Sequence, residues 1–265
     1  MLHLAFLGLL TALALALPAW VASLVVRDAS LADRVWSLFI AGPVLVYACL
    51  SPIDARAALM LVLLLAWAAR LALYIGLRNW GHGEDRRYRD MRARNEPNFG
   101  LKSLYLVFGL QGVLAWGVGW PLLVALAGPG SSASFGVLDG VGALLAAAGL
   151  LTEALADAQL ARFRRDPANA NAVMDRGLWA WSRHPNYFGE TCVWWGLGLM
   201  ALSAQGWAGA WCLASPLMMT VLLLKVSGVT LLEQDIGDRR PGYRDYVART
   251  SAFIPWPPRR GGPAS

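Results

Sequence analysis

The residues best able to do chemistry in this chain sit together in one string, Arg183-His184-Pro185-Asn186-Tyr187-Phe188-Gly189-Glu190. It offers a guanidinium, an imidazole, an amide, a phenol and a carboxylate, and an apolar run follows at once. Proline fixes its own φ and turns the residue before it away from helix, so Arg183 and His184 are expected on an extended approach to a helix start. The following helix then carries Glu190 into the membrane. An ionisable group there is costly and marks a functional position.

Other polar residues recur at helical spacing within apolar runs. Trp67, Arg70, Tyr74 and Arg78 share one face of a third span. Glu153, Asp157 and Arg164 do the same on a fifth, and Asn186, Glu190 and Trp194 on a sixth, with Tyr187 beside them. Asp33 stands three residues before Trp36, ahead of the second span. Singly, each stripe reads as a snorkelling Arg, an interfacial Trp or an inter-helix hydrogen bond. Together they predict a polar, cytoplasm-facing pocket roofed by basic loops. Arg164, Arg165, Arg183 and His184 suit phosphates, since Arg offers bidentate charge-assisted hydrogen bonds. Asn186 can read an amide or a hydroxyl with both donor and acceptor.

The elements that position these groups follow from composition. The chain is 57% hydrophobic and 15% charged, with mean hydropathy +0.47 and 13 Trp, which excludes an ordinary soluble domain. With roughly 20 apolar residues needed per crossing, seven spans are expected, at 2–26, 35–50, 57–77, 103–127, 135–156, 187–203 and 207–232. The first resembles a signal peptide in its Ala-rich stretch but lacks a basic start, and it is read as a span. The fold class is therefore all-α and polytopic, with one domain over 1–256 and a disordered tail over 257–265.

The net charge of +6 comes almost wholly from Arg. Seven Lys or Arg lie between Arg78 and Lys102, five between Asp157 and Asn186, and six after Leu232. The positive-inside rule makes these segments cytoplasmic and puts the N-terminus outside, in a bacterial-type inner membrane. Clustering between apolar spans argues against nucleic acid as the partner. Cys49, Cys192 and Cys212 lack metal-ligand spacing, and His3, His82 and His184 lie far apart, so neither a disulfide nor a metal site is expected. No Walker loop or Gly-rich dinucleotide fingerprint is present. Glu84-Asp85-Arg86-Arg87-Tyr88 reads first as a solvated loop with internal salt bridges and second as a lid.

These residues carry a family resemblance. Gly83-Glu84-Asp85-Arg86-Arg87-Tyr88, Asp157-Ala158-Gln159-Leu160, Gly177-Leu178-Trp179, the string from Arg183 to Glu190, Ser227-Gly228, Leu232-Glu233, Tyr243, Tyr246 and Phe253-Ile254-Pro255 together resemble the DUF1295 group of the steroid 5α-reductase superfamily, over about 32–257. The resemblance implies a seven-helix membrane fold that binds NADPH from the cytoplasmic side and reduces a lipophilic enone arriving from the bilayer. It implies dinucleotide contacts at Asp157, Arg164, Asn186, Glu190 and Trp194, with Arg70 and Tyr74 near the same site. The family's catalytic glutamate aligns with Asp33 and its tyrosine with Trp67, a shorter acid and an indole N–H in their places. On this reading a neutral Asp33, with Trp67 or Tyr74, stabilises an enolate oxygen. Glu190 holds the nicotinamide carboxamide, and Arg164, Arg165 and Arg183 pair with phosphates. Tyr243 and Tyr246 either close over the cofactor or simply pack at the interface. Two rival readings are an S-adenosylmethionine-dependent methyltransferase of the isoprenylcysteine type and a non-enzymatic lipid-binding or transport protein.

Overall fold

The computed structural model describes residues 1–128, 134–226, 228–229, 233 and 242–259, and among these there is no strand. The expectations placed on Ser227, on Leu232 at the end of the seventh span, and on the tail from residue 260 lie outside the described residues. Six stretches are long and apolar enough to cross a bilayer, as a multi-pass membrane protein requires: Leu2–Val26, Leu31–Leu50, Ala55–Arg78, Phe99–Val118, Val137–Arg165 and Pro185–Val226. The last is 42 residues long and contains both the sixth and the seventh expected spans. Its first helix ends at Gln205, where Gly206 takes φ +57°, a left-handed conformation that glycine adopts without penalty.

By contact the chain divides into two compact units. The first comprises Met1–Gly140 and Leu197–Ser215, the second Val141–Gly196 and Pro216 onward.

In the first unit, α1 (Leu2–Val26) packs on α2 (Leu31–Leu50) and α6 (Leu110–Val118). Its buried residues are Gly8, Ala12, Ala16 and Ser23, while Leu2, Phe6 and Val25 face outward. Small inward and large outward is the pattern of helices whose solvent is lipid, because close backbone approach replaces the hydrophobic effect as the driving force. Gly8 shows it directly, since a Cβ there would overlap the Tyr47 ring of α2. Helix α3 (Ala55–Arg78) starts where Asp54 accepts from the Ala57 amide at 2.7 Å, an N-cap that satisfies an otherwise orphaned donor.

Two expectations are corrected here. Asp33 lies within the first turn of α2, because the helix begins at Leu31 once Asp28 has taken the Ser30 amide and hydroxyl. The Glu84–Tyr88 stretch is not a free loop. Asp85 caps α4 (Arg86–Asn95) by accepting from the Arg87 amide at 2.9 Å. The fourth span is built from α5 (Phe99–Ser103), a π-helical segment (Leu104–Gly109) and α6, and Gly119 separates α6 from α7 (Trp120–Ala127).

In the second unit, α8 (Val137–Arg165) and α9 (Pro185–Gln205) meet backbone to backbone. A Cβ at Gly149 would lie 2.5 Å from the Gly189 carbonyl, one at Gly189 2.6 Å from the Gly149 carbonyl, and one at Gly196 2.4 Å from the Gly142 carbonyl. Helix α10 (Ala214–Val221) and a π-helical turn (Leu222–Val226) complete the apolar run, and α11 (Tyr243–Arg249) follows in the polar C-terminal segment.

Candidate functional site

The glycine seam brings the polar stripes of α8 and α9 together. Pro185 opens α9, so Asn186, Glu190 and Trp194 fall on successive turns of one face. Asn186 Nδ2 donates to Asp157 Oδ1 at 3.2 Å. The Glu153 backbone and Cβ lie where a Gly189 side chain would have to go. Glu153, Asp157, Glu190 and Trp194 are buried, while Asn186 and Tyr187 are half-buried. Three carboxylates buried at one helix pair are energetically expensive within a membrane protein, which singles the place out. The Asn186 Oδ1 has no hydrogen-bond partner among the described residues. It is an acceptor suited to an N–H or O–H. At the end of α8, Arg164 and Arg165 are exposed.

Arg183 and His184 lie outside helix, as expected. Their partner was not foreseen. Arg183 grips Glu233 with both prongs, Nε to Oε1 at 2.8 Å and Nη2 to Oε2 at 2.9 Å, and gives Nη1 to the Thr250 carbonyl at 2.8 Å. His184 Nε2 lies 2.8 Å from Glu233 Oε1, and its ring stacks on Tyr187 with centroids 5.6 Å apart. Burial opposes ionisation of Glu233, but hydrogen bonds from His184 and Arg183 outweigh it and bring the carboxyl down from its ordinary 4.5 to about 2. Arg183 and His184 are thus engaged within the protein. The Tyr246 hydroxyl donates to the Trp179 carbonyl at 2.5 Å, and its ring packs edge-on to Tyr243. The hydroxyl proton is thus directed at backbone carbonyls, of Trp179 and, at 3.3 Å, of Ser182. Burial and the Glu233 charge raise the Tyr243 phenol above its ordinary value. The segment beneath is fastened to α8, with Leu178 N donating to Gln159 Oε1 and Trp179 Nε1 to the Ala156 carbonyl, both at 3.0 Å.

In the first unit, Trp67 is fully buried beside a tie from Ser37 Oγ to the Ala68 carbonyl at 2.9 Å. Arg70 and Tyr74 are half-buried, and the Arg78 guanidinium lies 5.7 Å from the Tyr74 ring centroid. Asp33 is fully engaged by other side chains. Its Oδ2 accepts from Arg87 Nη2 at 2.8 Å, and its Oδ1 accepts from the Tyr88 hydroxyl at 2.6 Å and from Gln111 Nε2 at 3.3 Å. In each of these contacts Asp33 is the acceptor. Glu84 holds the same loop in place, taking Arg92 at 3.0 and 2.7 Å and the Ala29 amide at 2.8 Å. Burial works against ionisation of Glu84, yet Arg92 and that amide keep its carboxyl below the ordinary value. Burial and the adjacent Asp33 carboxylate push the Tyr88 phenol well above its ordinary value.

A further cluster escaped the sequence. Near the start of α3, Arg56 reaches Asp139 with Nε at 2.6 Å and Nη2 at 3.0 Å, and Ser203 Oγ donates to the same carboxylate at 2.6 Å. Arg56 is 2% and Asp139 0% exposed. The available signal was a charge of each sign at the start of an apolar run, at Arg56 and Asp139.

A family model described as a protein of unknown function, DUF1295, matches residues 19–250. No curated protein and no solved structure matches the chain. The chain belongs to the DUF1295 family, a steroid 5α-reductase-like membrane family.

Proposed function

We propose that this member of the DUF1295 family is a membrane oxidoreductase that uses NADPH to reduce a C=C bond of a lipophilic enone of steroid or isoprenoid type. The reading rests chiefly on one observation: the Asp157–Asn186 pair on the α8–α9 seam leaves a carboxamide oxygen, Asn186 Oδ1, without a partner among the described residues. That acceptor fits the N–H₂ of a nicotinamide carboxamide, and the exposed Arg164 and Arg165 fit its phosphates. NADPH, when bound, supplies the hydride; the protein supplies binding, orientation and electrostatics. Asp157 accepts from Nδ2 and so fixes the Asn186 amide, leaving its oxygen as the unmatched end. Glu153, Glu190 and Trp194 shape the buried end of the site. Arg183 and His184 act at one remove, by holding Glu233 and so the start of α9.

Titration of the detergent-purified protein with NADPH, NADH and S-adenosylmethionine, followed by thermal shift, tests the reading. NADPH is expected to stabilise the protein. Asn186→Ala and Arg164→Ala are expected to weaken that binding by roughly five- to a hundredfold, the worth of one hydrogen bond or one charge-assisted contact. Stabilisation by S-adenosylmethionine alone favours the methyltransferase. No response to any of the three favours a non-enzymatic lipid-binding protein.

A further inference from the structure

After α11 the chain runs back across the start of α9 as a strap. The Arg183 amide donates to the Ser251 carbonyl at 2.8 Å, Ser182 Oγ to the Phe253 carbonyl at 2.7 Å, and the Trp256 amide to the Trp181 carbonyl at 2.9 Å. The Arg259 amide then returns to the Arg249 carbonyl at 2.9 Å. Phe253 sets its ring edge-on to Phe188, in the first turn of α9, with centroids 5.8 Å apart. Pro255, Pro257 and Pro258 restrict the backbone of the strap further. Phe253 and Pro255 are half-buried, whereas Ile254 is 62% and Trp256 67% exposed. Trp181, whose carbonyl Trp256 holds, is 47% exposed. Three large apolar side chains in the open form a patch that calls for a cover. They stand where α9 begins the run Pro185–Val226, which is long enough to cross a bilayer. That level is the headgroup zone, where Trp is favoured for its apolar body and its N–H. Arg259 is exposed at the end of the strap, and Arg249 beside it shares its charge with Asp175.

We infer that the strap from Ser251 to Arg259 is a membrane-interface anchor that takes the headgroup of an anionic phospholipid. Trp181, Ile254 and Trp256 enter the boundary between headgroups and acyl chains, and Arg259 meets the phosphate. The occupant follows from continuity and from charge. The segment that bears Trp181 is bonded to α8 through Trp179 at Ala156 and through Leu178 at Gln159, beside the exposed Leu151 and Leu155 of that span. The patch therefore prolongs a surface that lipid already covers, and it adds a guanidinium where the bilayer carries phosphate. The anchor is coupled to the fold. Arg183, which grips Glu233, also donates to the Thr250 and Ser251 carbonyls at the root of the strap. A headgroup that binds the strap in place stabilises the folded protein by mass action. The inference does not depend on the reductase reading.

The test titrates the detergent-purified protein with dioctanoyl-phosphatidylglycerol and with dioctanoyl-phosphatidylcholine, followed by thermal shift. Phosphatidylglycerol is expected to bind about fivefold more tightly, the worth of one basic residue beside an anionic surface. Arg259→Glu is expected to remove that preference and leave phosphatidylcholine binding unchanged. Ile254→Ser combined with Trp256→Ser is expected to weaken both lipids by about tenfold, through lost apolar contact. An unchanged phosphatidylglycerol affinity in either variant overturns the inference. So does a loss of NADPH affinity in Arg259→Glu with lipid binding intact, which assigns the cation to a cofactor phosphate. A dimer in detergent that Ile254→Ser combined with Trp256→Ser dissociates also overturns it, because a second copy of the chain then covers the patch. If the double variant fails to fold, Arg259→Glu, at an exposed position, still decides.

Discussion

Two carboxylates in this protein are each gripped by a pair of neighbouring residues, and they are gripped differently. In the second unit Glu233 receives both prongs of Arg183 and the ring of His184, and Arg183 is further tied to the Thr250 carbonyl. In the first unit Asp33 receives one prong of Arg87, and its other oxygen is shared by Tyr88 and Gln111. The Glu233 station is closed, since its donors and acceptors are matched inside the protein. The Asp33 station is open, ending in an amide oxygen with no partner among the described residues. A closed cluster holds a fold together, whereas an open one has capacity left for a ligand. Sequence alone makes the two look alike, an Arg followed by a ring in both Arg87-Tyr88 and Arg183-His184.

The largest expected effect belongs to the closed station. Glu233→Leu leaves Arg183, whose side chain is 10% exposed, without its counter-charge and is expected to destabilise the protein by about 3 kcal/mol, read from unfolding in detergent. The sign of its pH dependence follows from the depressed carboxyl. Its contribution is complete above the ordinary value of 4.5 and disappears as pH falls toward about 2. Glu233→Gln should abolish that part of the acid transition, and melting curves across pH would show it. Next comes Gly189→Ala. The new Cβ would meet the Gly149 carbonyl at 2.6 Å and the Glu153 amide at 2.7 Å, both backbone, so α8 and α9 must separate. About 1–3 kcal/mol is expected, together with weaker NADPH binding, which a thermal-shift titration measures.

Asp33→Asn should cost less, about 1 kcal/mol. The new amide oxygen can still accept, and the Arg87 and Asp33 side chains are 36% and 25% exposed. A loss equal to that of Glu233→Leu in the same unfolding assay would erase the distinction between the two stations. Smallest is Arg249→Ala. Its pair with Asp175 is 44% and 33% exposed, and a change below about 1 kcal/mol in that assay is expected.

What could be read from the sequence was local. Apolar runs located the spans, and Pro185 located the start of α9, because both act on their own neighbours. The helical spacing of Glu153, Asp157, Asn186 and Glu190 marked two faces that the structure brings together through Gly149 and Gly189. What was lost was pairing at long range. Arg183 finds Glu233 50 residues away, Tyr88 finds Asp33 55 away, and Arg56 finds Asp139 83 away. No periodicity carries such pairings, because helix packing sets them. The same blindness made Glu84–Tyr88 look solvated, when Glu84 is bound to Ala29 and Tyr88 to Asp33.

The contact between α8 and α9 has a mechanical consequence. A Cβ added at Gly149, Gly189 or Gly196 would come within 2.6 Å of a carbonyl on the facing helix, so at these points no side chain of the glycine itself lies between the helices to act as a cushion. Tilting one against the other would press peptide toward peptide at these points, which opposes a change in the distance between the Asp157 and Asn186 backbones. Whatever binds there has to arrive already the right thickness.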